Sequence, residues 1–115
     1  MEKPQKSMGK TTIAPDVLVS IAQLATLGVE GVSHLIAGPR EVNTLFKKGI
    51  SEGVNVSVED DMVYVDLYVV LKRDVHVRDV SHNIQSQVAR AISEMVGMEI
   101  GKINVHIEDI DFEEA

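Results

Sequence analysis

Histidine and carboxylate side chains are the groups in this chain best able to bind a metal ion, yet their spacing predicts no metal site. The histidines are His34, His76, His82 and His106. His76 and His82 flank a predicted helix start without the four-residue spacing that places two ligands on one helical face. We expect His106 to point outward from the last strand, near Asp66 on the open face of a sheet, where the pair would hold a metal only loosely. Because no further ligand follows at a suitable spacing, these histidines are predicted to be ordinary surface residues.

Short loops that could cradle a phosphate or activate a nucleophile are also incomplete. Residues 28–31 contain two glycines but follow a helix, whereas a phosphate loop precedes one. Residues 9–11 resemble the end of a nucleotide-binding loop without the strand and glycines that come before it. The acidic residues 59–61 fit a hairpin turn better than a cation site, and residues 109–114 lack the glycine and spacing of a calcium loop. With no serine elbow motif either, the sequence predicts no catalytic, cofactor-binding or metal-binding residue, and therefore a protein that is not an enzyme.

Composition narrows the class of protein further. The 115 residues suit one domain, and the apolar fraction of 44% is that of a chain with a packed core. Aromatic residues make up only 3%, and cysteine is absent, which excludes disulfides and fits a reducing cytoplasm. The net charge of −7 argues against binding to nucleic acid or to anionic lipid. We find neither a membrane span nor an apolar signal core, so a membrane location would depend on a partner.

The clearest structural signal is a β-hairpin with one buried face. Hydrophobic residues occupy every second position from 54 to 58 and again from 63 to 71, on either side of the acidic pair Asp60 and Asp61. Alternation with a period of two on both sides of a short polar turn is typical of two antiparallel strands. The residues between the hydrophobic ones should therefore lie on the opposite face of the sheet.

Two helices and further strands surround this hairpin. Pro15 suits a first helical turn that Gly28 would end, and Gly97 would cap a second helix. Leu24 and Met95 are assigned to the apolar faces of these helices. Strands are predicted at residues 11–13, 30–36 and 102–110, and Leu45 and Phe46 anchor a helical turn in the weakly patterned stretch 40–53. The predicted fold is α+β with the order β-α-β-β-β-α-β, in which two helices cover one face of a mixed sheet. Residues 1–10 are expected to form a flexible lead-in, 11–110 a single domain and 111–115 an acidic tail.

The outward residues of the long strand are the candidate interface. They are Tyr64, Asp66, Tyr68 and Val70. Tyrosine is common in protein interfaces because its ring is flat and stiff and carries a polar tip. Tyrosine is also a good strand former on a solvated face, so the ordinary structural explanation stays open.

The ordered set of motifs resembles the alkaline shock protein family of bacteria. The matching segments are residues 9–17, 21–22, 29–32, the hairpin, 80–87, 95–98 and 103–105. Two local departures are Lys72 with Arg73, where the family often has Tyr-Gly, and Ala14 in place of a capping serine. The resemblance implies a single domain of this family over residues 11–110 and a cytoplasmic protein of envelope or alkaline stress. It supplies no catalytic residue. Some members are held at the membrane by a separate anchor protein and assemble there, and others are linked to lipid metabolism.

The resulting functional hypothesis is a non-enzymatic cytoplasmic protein of envelope stress response or envelope homeostasis, acting by self-assembly and protein binding. The alternative is a regulatory protein that binds an enzyme of lipid (fatty-acid) metabolism. The expected partners are a second copy of the chain and either a membrane-anchor protein or a lipid-synthesis enzyme. No cofactor, nucleic acid or direct membrane insertion is expected.

Overall fold

Two helices and five strands form the part of the chain that the computed structural model describes, namely residues 9, 12–38, 50–51 and 53–112. The helices are α1, Pro15–Leu27, and α2, Val77–Val96. The strands are β1, Val32–Leu35; β2, Ile50–Ser51; β3, Val54–Glu59; β4, Met62–Lys72; and β5, Glu99–Asp111. The predicted α+β class is confirmed, and the predicted order of elements agrees broadly with this one.

Strand β4 is the centre of the sheet. Its first half pairs antiparallel with β3, and its second half pairs antiparallel with β1 on the same side. On its other side β4 pairs in parallel with β5 along its whole length, while β2 extends the sheet from β3. The sheet is therefore mixed, as predicted. The connection from β4 to β5 runs through α2, as a parallel pair requires.

The predicted hairpin is confirmed together with its acidic turn. Glu59 pairs with Met62, which leaves Asp60 and Asp61 as the two turn residues. Both have positive φ, 53° and 66°, the conformation that a type I′ turn demands. Aspartate tolerates this region better than most side chains. The presence of two aspartates at this point in the sequence is therefore explained by the turn that joins the paired strands.

The core lies between the two helices and one face of the sheet. The predicted inward residues of the long strand are all buried: Val63, Val65, Leu67, Val69 and Leu71. From α2, buried residues follow every fourth position, and they are Val80, Ile84, Val88 and Ile92. Leu18, Ile21 and Ala22 of α1 belong to the same core cluster. Both helices thus cover one face of the sheet, and the tyrosines of β4 lie on the other.

The predicted first strand differs from the observed structure. Thr12 and Ile13 belong to no strand, and Thr11 lies outside the described residues. Ile13 instead packs against the core just before the extended Ala14 that precedes α1. An apolar residue in this position and one four residues into the helix, here Leu18, together fix how the chain enters the helix. The apolar character that suggested a strand is explained by this helix anchor.

Several predicted segments lie wholly or partly outside the described residues. Of the predicted lead-in, only Gly9 is described, and Leu45 and Phe46 also lie outside the described residues. The last strand runs to Asp111, one residue beyond the predicted end of this strand, so Asp111 belongs to β5. Neither described helix combines the length and hydropathy needed to cross a membrane.

Candidate protein-interaction surfaces

Five polar and aromatic side chains lie on the sheet face opposite the helices, and we call them the open-face cluster. They are Tyr64, Asp66, Tyr68, Asn104 and His106. In the parallel register of β4 and β5, Asp66 lies beside Asn104, and Tyr68 lies beside His106. Side chains at paired positions share a face, so the strand pairing itself assembles the cluster.

Four of the five members are held together by contacts with one another. Asp66 Oδ1 accepts a hydrogen bond of 3.1 Å from Asn104 Nδ2 and lies 3.0 Å from His106 Nε2. The rings of Tyr68 and His106 stack with centroids 4.5 Å apart and planes 12° from parallel. The predicted proximity of His106 to Asp66 is confirmed. Their side chains are 41% and 39% exposed, so this pair contributes more to local order than to stability.

Both tyrosine rings also cover glycines on neighbouring chain segments. A Cβ placed on Gly101 of β5 would lie 2.5 Å from two ring atoms of Tyr64, and one on Gly38 would lie 2.8 Å from Tyr68 Cε1. Neither contact is possible with a side chain present. The rings therefore occupy space that only glycine leaves open, and both tyrosines are half-buried.

Val70 differs from the other candidate interface residues. It lies outside the core cluster, yet it is only 4% exposed. It lines a shallow depression together with His34, Ile36, Ile110 and Phe112. The pairing of β4 with β5 shifts register between Val69 and Val70, which brings the end of β5 close to this position. Of the four residues proposed from the sequence, Val70 is therefore the one that offers almost no surface to a partner.

A serine, a histidine and an aspartate meet at the start of β1 without forming a catalytic triad. Ser33 Oγ lies 3.0 Å from His34 Nδ1 and donates to Asp111 Oδ2 at 2.8 Å. In a triad the carboxylate orients the histidine, whereas here it binds the serine and His34 is exposed. The sequence did not predict this contact because Ser33 and Asp111 are 78 residues apart in the chain.

The remaining candidate ligands stay apart. His76 and His82 are exposed at the start of α2. Within the described ranges, no three histidine or carboxylate side chains are placed to hold a metal ion together. Of the loop at residues 9–11, only Gly9 is described, with a positive φ and no atom near the position of a Cβ.

A second surface, which we call the helix patch, was not predicted from the sequence. It consists of Val17, Leu24 and Met95, exposed apolar side chains that line one groove. The assignment of Leu24 and Met95 to buried faces is wrong, since they are 71% and 69% exposed. Leu24 lies two residues after the buried Ala22, about 200° further around the helix. Met95 follows the last buried residue of α2 and, with Leu24, borders a mostly apolar groove between the helices.

The similarity to known proteins extends over most of the chain and is not confined to one site. The model of the alkaline shock protein 23 family, described by its cell envelope-related function, matches residues 3–112. The chain belongs to this family. The resemblance seen in the motifs is thereby confirmed, and the description of the alkaline shock protein 23 family names no reaction.

Bacterial relatives in the same family cover most of the chain. An uncharacterised protein of Streptococcus pyogenes, Spy1535, is 36% identical over 104 residues, which are 90% of this chain and 80% of that protein. YqhY of Bacillus subtilis, also uncharacterised, is 30% identical over 115 residues, covering 98% of this chain and 85% of that protein. YloU of the same bacterium is 22% identical over 108 residues, covering 89% and 88%. No solved structure matches the chain.

Proposed function

We propose that this protein is a non-enzymatic component of envelope stress response or envelope homeostasis that acts by self-assembly and by binding other proteins. It works in the cytoplasm and reaches the membrane through a partner protein. The family's cell envelope-related function supports the biological setting. The observation that supports protein binding is the open-face cluster, in which aromatic and polar groups are held in place on a sheet face that no described helix covers.

The internal contacts of the cluster favour its use in recognition. Binding normally costs free energy because flexible side chains must be ordered at the interface. Asp66, Tyr68 and His106 already restrain one another through a hydrogen bond and a ring stack. Tyr64 is restrained by its position over Gly101. A partner that docks on this face therefore meets a surface whose geometry is largely set beforehand.

The arrangement of polar groups supports a binding role over a catalytic one. The pair that most resembles a nucleophile with its base is Ser33 beside His34. The neighbouring carboxylate of Asp111 contacts the serine, whereas in a triad it would contact the histidine. The open-face cluster has a base, His106, but lies on an exposed sheet surface rather than in a cleft. No described feature favours a lipid-synthesis enzyme as the partner, so that hypothesis stays a prediction.

An exposed serine next to the cluster offers a clean test. Ser57 of β3 is paired with Tyr64 across the hairpin, so Ser57→Glu adds a charge beside the cluster without removing a packed ring. A carboxylate within an interface must be desolvated, and we expect the dissociation constant of the assembly to rise at least tenfold. The measurement is light scattering coupled to size-exclusion chromatography over a range of protein concentrations.

Ser86→Glu is the matched control, because Ser86 is an exposed serine of α2 and the change in net charge is the same. This variant should assemble like the wild type. Circular dichroism establishes that both variants are folded. If the folded Ser57→Glu variant keeps the wild-type mass, the open face is not the assembly surface. A wild type that stays monomeric at high concentration rules out self-assembly altogether.

A further inference from the structure

A serine side chain links the two strands that flank the second half of β4. Within the described residues, β1 and β5 pair with β4 from opposite sides and share no backbone pairing with each other. Ser33 Oγ of β1 nevertheless donates a hydrogen bond of 2.8 Å to Asp111 Oδ2 of β5. Val70 of β4 lines the same depression as Asp111, so the link passes over the central strand beside this residue.

The position of the link matters because the backbone pairing of β5 is irregular just before it. The register of β4 and β5 shifts between Val69 and Val70, and residues 109–111 are the ones that pair beyond the shift. An irregularity of this kind locally disrupts the ladder of backbone hydrogen bonds. The Ser33–Asp111 bond therefore fastens the last residues of β5 from the side, beyond the point where regular pairing is interrupted.

The direction of each hydrogen bond follows from counting protons. An ionised carboxylate only accepts, and a hydroxyl group has a single proton to donate. The Ser33 proton is therefore committed to Asp111. His34 Nδ1 lies 3.0 Å from the same Ser33 oxygen, so this nitrogen must itself carry the proton of their contact. The three side chains form one directed chain, from His34 through Ser33 to Asp111.

The protonation of the His34 ring decides whether this chain can exist. The charged ring carries a proton on both nitrogens, and one of the two neutral tautomers carries its proton on Nδ1. In the other tautomer Nδ1 is an acceptor and competes with Asp111 for the proton of Ser33. A charged ring therefore enforces the bond between Ser33 and Asp111, whereas a neutral ring permits its loss.

We propose that Ser33, His34 and Asp111 form a proton-sensitive clasp, which fastens the end of β5 when His34 is charged and loosens it when His34 is neutral. Histidine ordinarily changes charge between about pH 5 and about pH 8. The clasp thus contributes its full stability at the acidic end of this range and loses part of it as the pH rises. Loosening frees the strand end beside Val70, whose side chain is otherwise only 4% exposed. The inference concerns the single chain and does not depend on the proposed self-assembly.

Charged groups outside the clasp also lie close to it. Asp109 of β5 lines the depression together with His34, and its Oδ1 accepts a hydrogen bond from the backbone of Ile110. Lys72 of β4 is the register partner of Asp111. Ser33→Ala leaves all of these charges in place and removes only the hydroxyl group between His34 and Asp111. A pH dependence that this substitution abolishes therefore belongs to the clasp.

A double-mutant cycle with Ser33→Ala and Asp111→Ala measures the clasp. Urea denaturation gives the unfolding equilibrium constants of the wild type, both single variants and the double variant at about pH 5.5 and about pH 8.5. At the acidic pH the two substitutions together should raise the unfolding constant about fivefold less than the product of their separate effects. At the alkaline pH this coupling should fall to about twofold or less.

The same cycle in a His34→Phe background is the matched control. Phenylalanine keeps a flat ring but cannot compete for the Ser33 proton, so the coupling should be equal at both pH values. Ring ¹⁵N chemical shifts give a second measurement in the folded protein. At about pH 8.5, Ser33→Ala should lower the share of His34 rings that are protonated on Nδ1, whereas the exposed His82 should not respond.

Three results would overturn the clasp. The first is a coupling between Ser33 and Asp111 that is absent or equal at the two pH values with His34 in place. The second is a pH dependence that persists in the His34→Phe background, because another titrating group would then be responsible. The third is a His34 tautomer that ignores Ser33→Ala, since the serine would then not direct the proton of the ring.

Discussion

Replacement of Gly101 by alanine is expected to destabilise the protein through a single contact with Tyr64. The added Cβ would lie 2.5 Å from Cε2 and Cζ of the ring and 2.9 Å from its hydroxyl oxygen. Distances below 3.0 Å between such atoms are not tolerated, so the ring must leave its position. The φ of Gly101 is not in the left-handed region, and backbone strain therefore contributes nothing. Overpacking of this kind costs about 1–3 kcal/mol. Because Tyr64 lies on the open face and can swing outward, we expect a value near the lower end of that range.

The sign of the effect should reverse when the ring is absent. In a Tyr64→Ala background the Cβ of Ala at position 101 meets no ring, and replacement of glycine by alanine stabilises by about 0.4–1 kcal/mol through the unfolded state. The four free energies of unfolding, from urea denaturation of the wild type, both single variants and the double variant, form a double-mutant cycle. A coupling of at least about 1 kcal/mol is expected.

Gly97→Ala is the matched control for this cycle. Gly97 has a φ of 73° and no atom within 4 Å of a Cβ, so its substitution is strained by the backbone alone. The cost of about 1–2 kcal/mol should be the same with and without Tyr64. If the Gly101 and Tyr64 substitutions add within about 0.3–0.5 kcal/mol, the ring does not lie on this glycine and the geometry of the open face is wrong.

Three further substitutions examine the core, the helix and the turn. Leu67→Ala removes a fully buried side chain of β4 and should lower the free energy of unfolding by about 2–5 kcal/mol in urea denaturation, and a loss below 1 kcal/mol would contradict its burial. Thr26→Val removes a buried hydroxyl that donates to the Ala22 carbonyl at 2.8 Å. Because valine keeps the shape of the side chain and leaves no buried donor without an acceptor, the melting temperature should change little. Thr26→Ala, which also removes a methyl group from the buried site, should lower it clearly. Asp61 has a positive φ of 66° in the hairpin turn, a conformation that glycine adopts without strain, so Asp61→Gly should raise the melting temperature by an amount equivalent to about 1 kcal/mol. The same change at Asp79, an exposed residue of α2, should lower it because glycine disfavours a helix.

Local patterns explain what could be predicted from the sequence. The hairpin was predictable because alternation and the acidic turn lie within a few residues of each other. The approach of His106 to Asp66 followed from strand parity, once both strands were placed in one sheet. The strand assigned to residues 11–13 was wrong because an apolar residue before a helix can anchor the helix equally well.

The missed features depend on distant parts of the chain. Leu24 and Met95 are apolar at helical spacing, but only the packed structure determines which side of each helix is covered. The burial of Val70 depends on a register shift between β4 and β5, for which alternation in β4 gives no signal. The cover of Tyr64 on Gly101 likewise requires the pairing of two strands separated by an entire helix.

The position of β4 also determines the order in which the sheet can form. Pairing with β3 closes across a two-residue turn, an event that takes roughly microseconds in hairpins. We expect pairing with β5 to follow the formation and packing of α2, because the loop that it closes is far longer. During refolding, β4 therefore has one protected side and one unprotected side, and its amide hydrogens should not all become resistant to exchange at the same moment. In the folded protein β4 is paired on both sides. For part of the folding reaction, however, its unpaired side exposes backbone groups to which another strand can add.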